Sequence, residues 1–239
     1  MAKIRLAVVA DIHWHEQRRA SYRHHFDRVH EFADVLVLPG DLTGQGLMAE
    51  ARSLAEQLAK ARIPMVAVLG NHDVHARSDH SITGVLADAG AVFLNGATVT
   101  LKVGDLTVGF AGTKGFCGGF GARCLTPFGE QEIKDFIGVT REEAAKLEEG
   151  LGSLQAEVRV VVLHYSPVVQ TLDGEPAELY PFLGSSLLSE PIDRLGADII
   201  LHGHAHHGVE RGTTQAGIPV RNTALPVIGR SWAVYELER

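Results

Sequence analysis

Five short aliphatic runs divide this chain, and each is ended at once by a cluster of Gly, Asp, Asn or His. Ile4 to Ala10 leads into Asp11-Ile12-His13. Val35 to Leu38 leads into Gly40-Asp41, and Met65 to Leu69 into Gly70-Asn71-His72-Asp73. Val158 to Leu163 runs into His164, and Asp198 to Leu201 into Gly203-His204-Ala205-His206. Near-continuous apolar runs of this length predict strands covered on both faces. In open α/β sheets the carboxyl ends of such strands line the ligand crevice. The five polar clusters are therefore predicted to converge on one edge.

Helical patterns fill the gaps. Leu47 to Ala61 carries Leu47, Ala51, Leu54, Leu58 and Ala61 at helical spacing, with Glu50, Arg52, Glu56 and Lys60 expected outside. Pro64 blocks its continuation. Thr140 with Glu143 reads as a capping box opening a helix through about Leu154. Leu187 to Leu195 predicts a shorter helix stopped by Gly196. From Ala91 to Ala111, and from Ile218 to Leu237, short strands alternate with turns such as Asn95-Gly96 and Gly104-Asp105. These are expected to add antiparallel strands to a mixed sheet. Without repeats or a linker-like stretch, residues 1–239 are expected to form one domain.

Composition narrows the function. Hydrophobic residues make up 45% and charged residues 21%, enough for a buried core and too apolar for a disordered chain. The net charge is −7, which speaks against a surface built to grip long nucleic acid. No apolar run approaches the roughly 20 residues that span a bilayer. Leu6 to Ala10 follows two basic residues but is too short for a secretory leader, so a cytoplasmic protein is expected. Cys117 and Cys124 share one glycine-rich stretch and are expected to be reduced. Histidine is the unusual residue, with 13 copies, most of them near the strand ends.

A divalent cation that activates water takes anionic oxygen and neutral imidazole ligands, with a position left open. Two cations about 3.5–4 Å apart call for a shared carboxylate. Asp-x-His and His-x-His would present both side chains on one side of an extended segment. Glycines at 40, 70 and 203 would let backbone approach the ions closely.

The ordered set Asp-x-His, Gly-Asp, Gly-Asn-His-Asp, His, Gly-His-x-His resembles the calcineurin-like metallophosphoesterase superfamily, and the match spans residues 11 to 206. The resemblance implies two mixed β-sheets packed face to face and flanked by helices, a four-layer αββα sandwich. It implies two divalent ions, of manganese, iron, zinc, cobalt or nickel, that deliver hydroxide to a small phosphoester. Asp11, His13 and His206 would hold the first ion, and Asn71, His164 and His204 the second, with Asp41 bridging. His72 would touch the phosphate and help the leaving group depart, and Asp73 would orient it. A phosphodiester or cyclic nucleotide is favoured, with a phosphomonoester close behind. The alternatives are a nuclease and a non-catalytic binding scaffold on the same fold.

Some features depart from the pattern. Trp14-His15 follows His13 where smaller or polar residues are common, which bears on the pocket mouth. Tyr165 stands where a second His often stands. Among the remaining histidines, His15 and His75 are the candidates for substrate contact, because each trails a ligand turn. His80, His202 and His207 read as structural or surface residues. His24, His25 and His30 are expected on a polar surface helix. Specificity is expected in two insertions. Gly112 to Gly138 carries Lys114, Phe116, Phe120, Arg123 and Phe128. Leu172 to Ser185 carries Tyr180, Pro181 and Phe182.

Overall fold

A computed structural model describes residues 2–15 and 26–239. His24 and His25 lie outside the described residues. His30 falls in a 3-10 turn, Val29–Glu31, and is half-buried.

Two sheets stack face to face. The first takes the order β11-β1-β2-β3-β4, from β1 (Lys3–Val8), β2 (Val35–Pro39), β3 (Met65–Val68), β4 (Ala91–Phe93) and β11 (Ala233–Glu238). The second takes the order β5-β6-β7-β8-β10-β9. Its strands are β5 (Thr98–Val103), β6 (Leu106–Thr113), β7 (Val158–Leu163), β8 (Ile199–His202), β9 (Arg211–Thr213) and β10 (Pro219–Asn222). All five predicted core strands are present within a residue or two of their expected ends, because buried strands need apolar side chains on both faces. Ile4, Leu6, Val8, Val35, Val37, Val66 and Val68 face Val108, Phe110, Val160, Val162 and Leu201 in a closed inter-sheet layer. Fully burying each such side chain contributes about 1.5–3 kcal/mol.

The alternate residues face outward and are covered by helices. Leu36, Leu38 and Ala67 pack under α1 (Met48–Leu58) and α2 (Asp79–Asp88), on Leu54, Leu58, Ile82 and Leu86. Ala111, Val161, Leu163 and Ile200 pack under α3 (Gln131–Ser153) and α5 (Ser189–Leu195). The four layers are those of the expected αββα sandwich. Two single-turn helices, α4 (Tyr180–Leu183) and α6 (Leu225–Ile228), sit in connections. Among the described residues, no helix is long and apolar enough to cross a membrane.

Several local expectations are corrected. α3 starts at Gln131, so Thr140 and Glu143 lie inside the helix and do not cap it. Both are buried: Thr140 Oγ1 donates to the Cys117 carbonyl, and Glu143 accepts from Gly115 N–H and the Thr113 hydroxyl. Their polar ends tie the loop after β6 to the helix. Half of the expected first insertion is therefore regular structure. Glu50 is also buried, and its carboxylate accepts from Gln45 and Leu47 N–H groups ahead of α1. β4 pairs parallel with β3 and β10 parallel with β8, whereas β5 with β6, β10 with β9 and β11 with β1 are antiparallel as expected. Gly196 ends α5 at φ +80°, as its position predicts.

Candidate metal centre

The five polar clusters do meet, at the carboxyl ends of β1, β2, β3, β7 and β8. Four of the seven ligand candidates sit where the backbone leaves its strand sharply. Asp11, His13, Asp41 and His204 have φ of 56°, 44°, 49° and 71°, the left-handed region that non-glycine residues rarely occupy. The Asp-x-His pair is thus not the extended segment its alternation implied. Two left-handed residues turn both side chains toward one point, and such strain persists where surrounding structure over-determines it. The glycines behave as expected. A Cβ on Gly70 would strike the Asp41 carboxylate, and one on Gly203 the Asp11 carboxylate.

Asp11 and Asp41 are both 1% exposed. Asp11 accepts the His204 N–H on Oδ2 at 2.8 Å, which leaves Oδ1 facing His206 Nε2 at 2.9 Å. His13 Nε2 lies 3.4 Å from His206 Nε2. On the other side, His164 Nε2 lies 2.9 Å from Asn71 Oδ1 and 3.4 Å from Asp41 Oδ1. The remaining oxygen of Asp41, Oδ2, faces His13 Nε2 at 3.7 Å. Three overlapping sets bring their ligand atoms within 4.8 Å of one another: Asp11-His13-His206, His13-Asp41-His72 and Asp41-His164-His204.

The chemistry of this donor set fits cations. Two imidazole nitrogens face each other beside a carboxylate, and another faces an amide oxygen and a carboxylate. Lone pairs crowded in this way need a proton or a metal between them. Burial works to lower the His164 pKa, but the charge and hydrogen bond of Asp41 win, with help from Asp11 and the Pro39 carbonyl, and raise it to about 9. Burial opposes ionisation of Asp41, yet His164, His13 and His72 hold its carboxyl well below the usual range. His13 and His204, dominated by burial, fall to about 4 and about 3 and stay neutral. Neutral imidazole is the ligand form.

His72 stands at the opening. Its side chain is 44% exposed, with Nε2 4.0 Å from Asp41 Oδ2. Its ring meets His13 edge to face at 4.4 Å. Nδ1 lies 2.6 Å from the Gly44 carbonyl, so the backbone after β2 sets the ring's direction. Asp73 does not hold the ring directly. Its buried carboxylate accepts from Leu42 N–H, Thr43 N–H, the Thr43 hydroxyl and Gly70 N–H, locking the two loops together. A cavity of about 350 Å³ opens here, lined by Gly44, Gln45, Asn71, His72 and His75.

Gly44 and Gln45 carried no sequence signal, because they act through backbone position rather than residue type. His75 reaches the cavity wall and His15 is half-buried outside it. Trp14 is buried in the core under the first sheet, so it does not shape the mouth. His202 is fully buried between the Gly203 carbonyl and the Thr171 hydroxyl, a structural role. Tyr165 packs 4.3 Å from the His204 ring and 5.5 Å from the His164 ring. Tyr180 packs locally with Leu172, Leu183 and Ala205, pressing the second insertion onto the His204–His206 turn. Both cysteines are free.

The sandwich and its converging Asp, Asn and His clusters define a metal-dependent phosphoesterase. The chain belongs to the calcineurin-like phosphoesterase family, whose model matches residues 4–208. No curated protein sequence matches it. Among solved structures, a phosphopantetheinyl hydrolase from Mycobacterium tuberculosis aligns with a TM-score of 0.68 at 14% identity, over 92% of this chain and 88% of that one. The protein TT1561 of Thermus thermophilus aligns at 0.57 and 14% identity, over 98% and 99%. A candidate 5'-nucleotidase from Staphylococcus aureus aligns at 0.54 and 17% identity, over 92% of this chain but 48% of that one. At these identities the structural likeness concerns the fold.

Proposed function

We propose that this chain hydrolyses a small phosphoester with two divalent cations, a phosphodiester such as a cyclic nucleotide first and a phosphomonoester close behind. The observation that carries this reading is the division of Asp41. One of its oxygens faces His164 and the other faces His13, so one buried carboxylate serves both clusters. Asp11, His13 and His206 would hold one ion, Asn71, His164 and His204 the other, and Asp41 both. The mixed oxygen and nitrogen set suits manganese, iron, zinc, cobalt or nickel. Bound there, the ions would acidify a water and offset charge on the phosphate.

The chain's own residues do the positioning. The Pro39 carbonyl takes the Nδ1 proton of His164 at 3.0 Å and leaves Nε2 for coordination. The Gly44 carbonyl takes the Nδ1 side of His72 and leaves Nε2 toward the cavity. There, in its doubly protonated form, it would donate to a phosphate oxygen and pass the Nε2 proton to the departing oxygen, keeping the Nδ1 proton on Gly44. Asp73 would position His72 at one remove, by fixing the loop that carries Gly44. The small cavity and the net charge of −7 favour small esters over long nucleic acid. The neighbours named phosphopantetheinyl hydrolase and candidate 5'-nucleotidase point the same way. Residues 209–239 supply β9, β10 and β11 to both sheets, so the whole chain is read as one domain. The two free cysteines fit a cytoplasmic setting.

The test is a grid of divalent metals against a phosphomonoester, a linear diester, a cyclic nucleotide and DNA, with His72→Ala as control. Hydrolysis of small esters that needs metal and falls in the control is expected. Failure to bind any metal or turn over any ester would leave the scaffold reading standing instead.

A further inference from the structure

A second cavity, of about 440 Å³, is lined by Leu69 and Val74, the residues flanking the Gly70–Asp73 turn, and by none of the ligand candidates. Its other walls come from α2, from the end of β4, from the start of the loop after β6, and from α3. The size suits a small organic molecule. Leu69, Val74 and Phe93 give it an apolar side.

Lys114 gives it an unmatched cation. The side chain lies largely inside the protein, with Nζ about 5 Å from the ring centres of Phe116 and Tyr165. Its hydrogen-bond partner is the neighbouring Gly115 carbonyl, at 3.0 Å. Among the described residues no carboxylate stands within ion-pair distance of it. An ammonium carries three donors, and one carbonyl satisfies one of them. The rings attract the charge but accept no conventional hydrogen bond. Glu143 shares the wall but is already engaged, by Lys146 at 2.7 Å, by Gly115 N–H and by the Thr113 hydroxyl. Lys146 is thereby paired as well. Asp79 stands exposed at the start of α2 and keeps its side in water. Glu143 acts on Lys114 through space but makes no ion pair with it, so Lys114 is the cavity's cation without a direct anionic partner, beside an apolar surface.

We infer that this cavity binds a small organic anion, with its carboxylate or phosphoryl oxygens on Lys114 Nζ and its apolar body against Leu69, Val74 and Phe93. The site is separate from the phosphoester centre and does not depend on which ester that centre hydrolyses. Because Leu69 and Val74 bracket the turn carrying Asn71 and His72, an occupant would rest directly against the catalytic loop.

The experiment measures binding of two non-hydrolysable probes, benzoate and phenylphosphonate, to the metal-loaded protein by ligand-observed NMR. At millimolar concentration at least one is expected to bind, and Asp41→Asn, which should not hold the metal pair, is expected still to bind it. Lys114→Met should weaken the affinity about tenfold or more, the loss of roughly one charge-assisted hydrogen bond. Thr83→Phe, which fills the cavity from α2, should weaken it too, with circular dichroism confirming a folded chain. A preference for benzoate identifies a carboxylate-bearing occupant, and a preference for phenylphosphonate a phosphorylated one. Absence of binding by both probes, binding untouched by Lys114→Met and Thr83→Phe, or binding that vanishes in Asp41→Asn would each overturn the inference.

Discussion

The two halves of the proposed metal centre are built from different materials. The Asp11-His13-His206 side contributes a carboxylate and two rings that solvent still reaches, with side chains 15% and 34% exposed at His13 and His206. The Asn71-His164-His204 side contributes a neutral amide, a ring with no exposure at all, His164, and a half-buried ring, His204. Charge therefore favours a cation in the first cluster, while burial and bracing fix the geometry of the second. The two ions are expected to differ in affinity and exchange rate, and Asp41 is the one group whose loss should erase the difference. Asp41→Asn is expected to remove both ions together and abolish measurable turnover. Metal analysis showing one ion retained at full affinity would mean that the carboxylate is not shared.

His72 tests the centre from outside the two proposed ligand sets. His72→Ala should lower kcat by about 10²–10⁴-fold on an ester with a poor leaving group. Metal content should stay unchanged, and the loss should shrink with a good leaving group. An equal loss of metal would instead make His72 a ligand, which the His13-Asp41-His72 set permits by distance.

Asp11→Asn probes the difference in charge. It makes the donor sets of the two sides alike, and the first ion's affinity should fall about 10–100-fold while the second ion is little affected. Titration with manganese followed by electron paramagnetic resonance would resolve the two. Equal weakening of both ions would break the division proposed between the clusters. Asp73→Ala acts on both at once through the fold. It strands buried donors at Leu42, Thr43 and Gly70, and should destabilise the protein by about 3 kcal/mol in denaturant unfolding.

The ligand candidates were legible because their chemistry depends on residue type and each follows a strand whose apolar run is unmistakable. Asp11, Asp41, His164 and His204 could be named without coordinates. Their left-handed backbone could not, since local sequence at Asp11 or His13 carries no marker of it and the surrounding loops impose it. Backbone partners were equally hidden: the Gly44 and Pro39 carbonyls that direct His72 and His164 exist at every residue. Thr140 and Glu143 misled for a related reason. Their spacing matches a helix cap, but tertiary bonds to Cys117, Thr113 and Gly115 use the same side chains inside a longer helix. β4 was read as antiparallel because a three-residue strand records nothing of its partner.

Those tertiary bonds carry the smallest expected effect, and it bears on the buried side of the centre alone. Glu143 holds the Gly115 N–H, and the adjoining Lys114 carbonyl accepts from His164 N–H at 3.0 Å. Burial works to raise the Glu143 pKa from its ordinary 4.5, but bonds from Lys146 and Thr113 and the charges of Lys146 and Lys114 outweigh it and lower it. A depressed carboxylate stabilises the fold above its unfolded pKa and loses that contribution as pH falls through the folded one. Glu143→Gln should therefore cost about 1 kcal/mol at neutral pH, discounted for the exposed Lys146 partner. The gap from the parent protein should close as pH drops below 4.5. The second ion should weaken slightly and the first not at all. A stability gap independent of pH would show that Glu143 acts by shape, and a loss confined to the first ion would put the brace behind the wrong cluster.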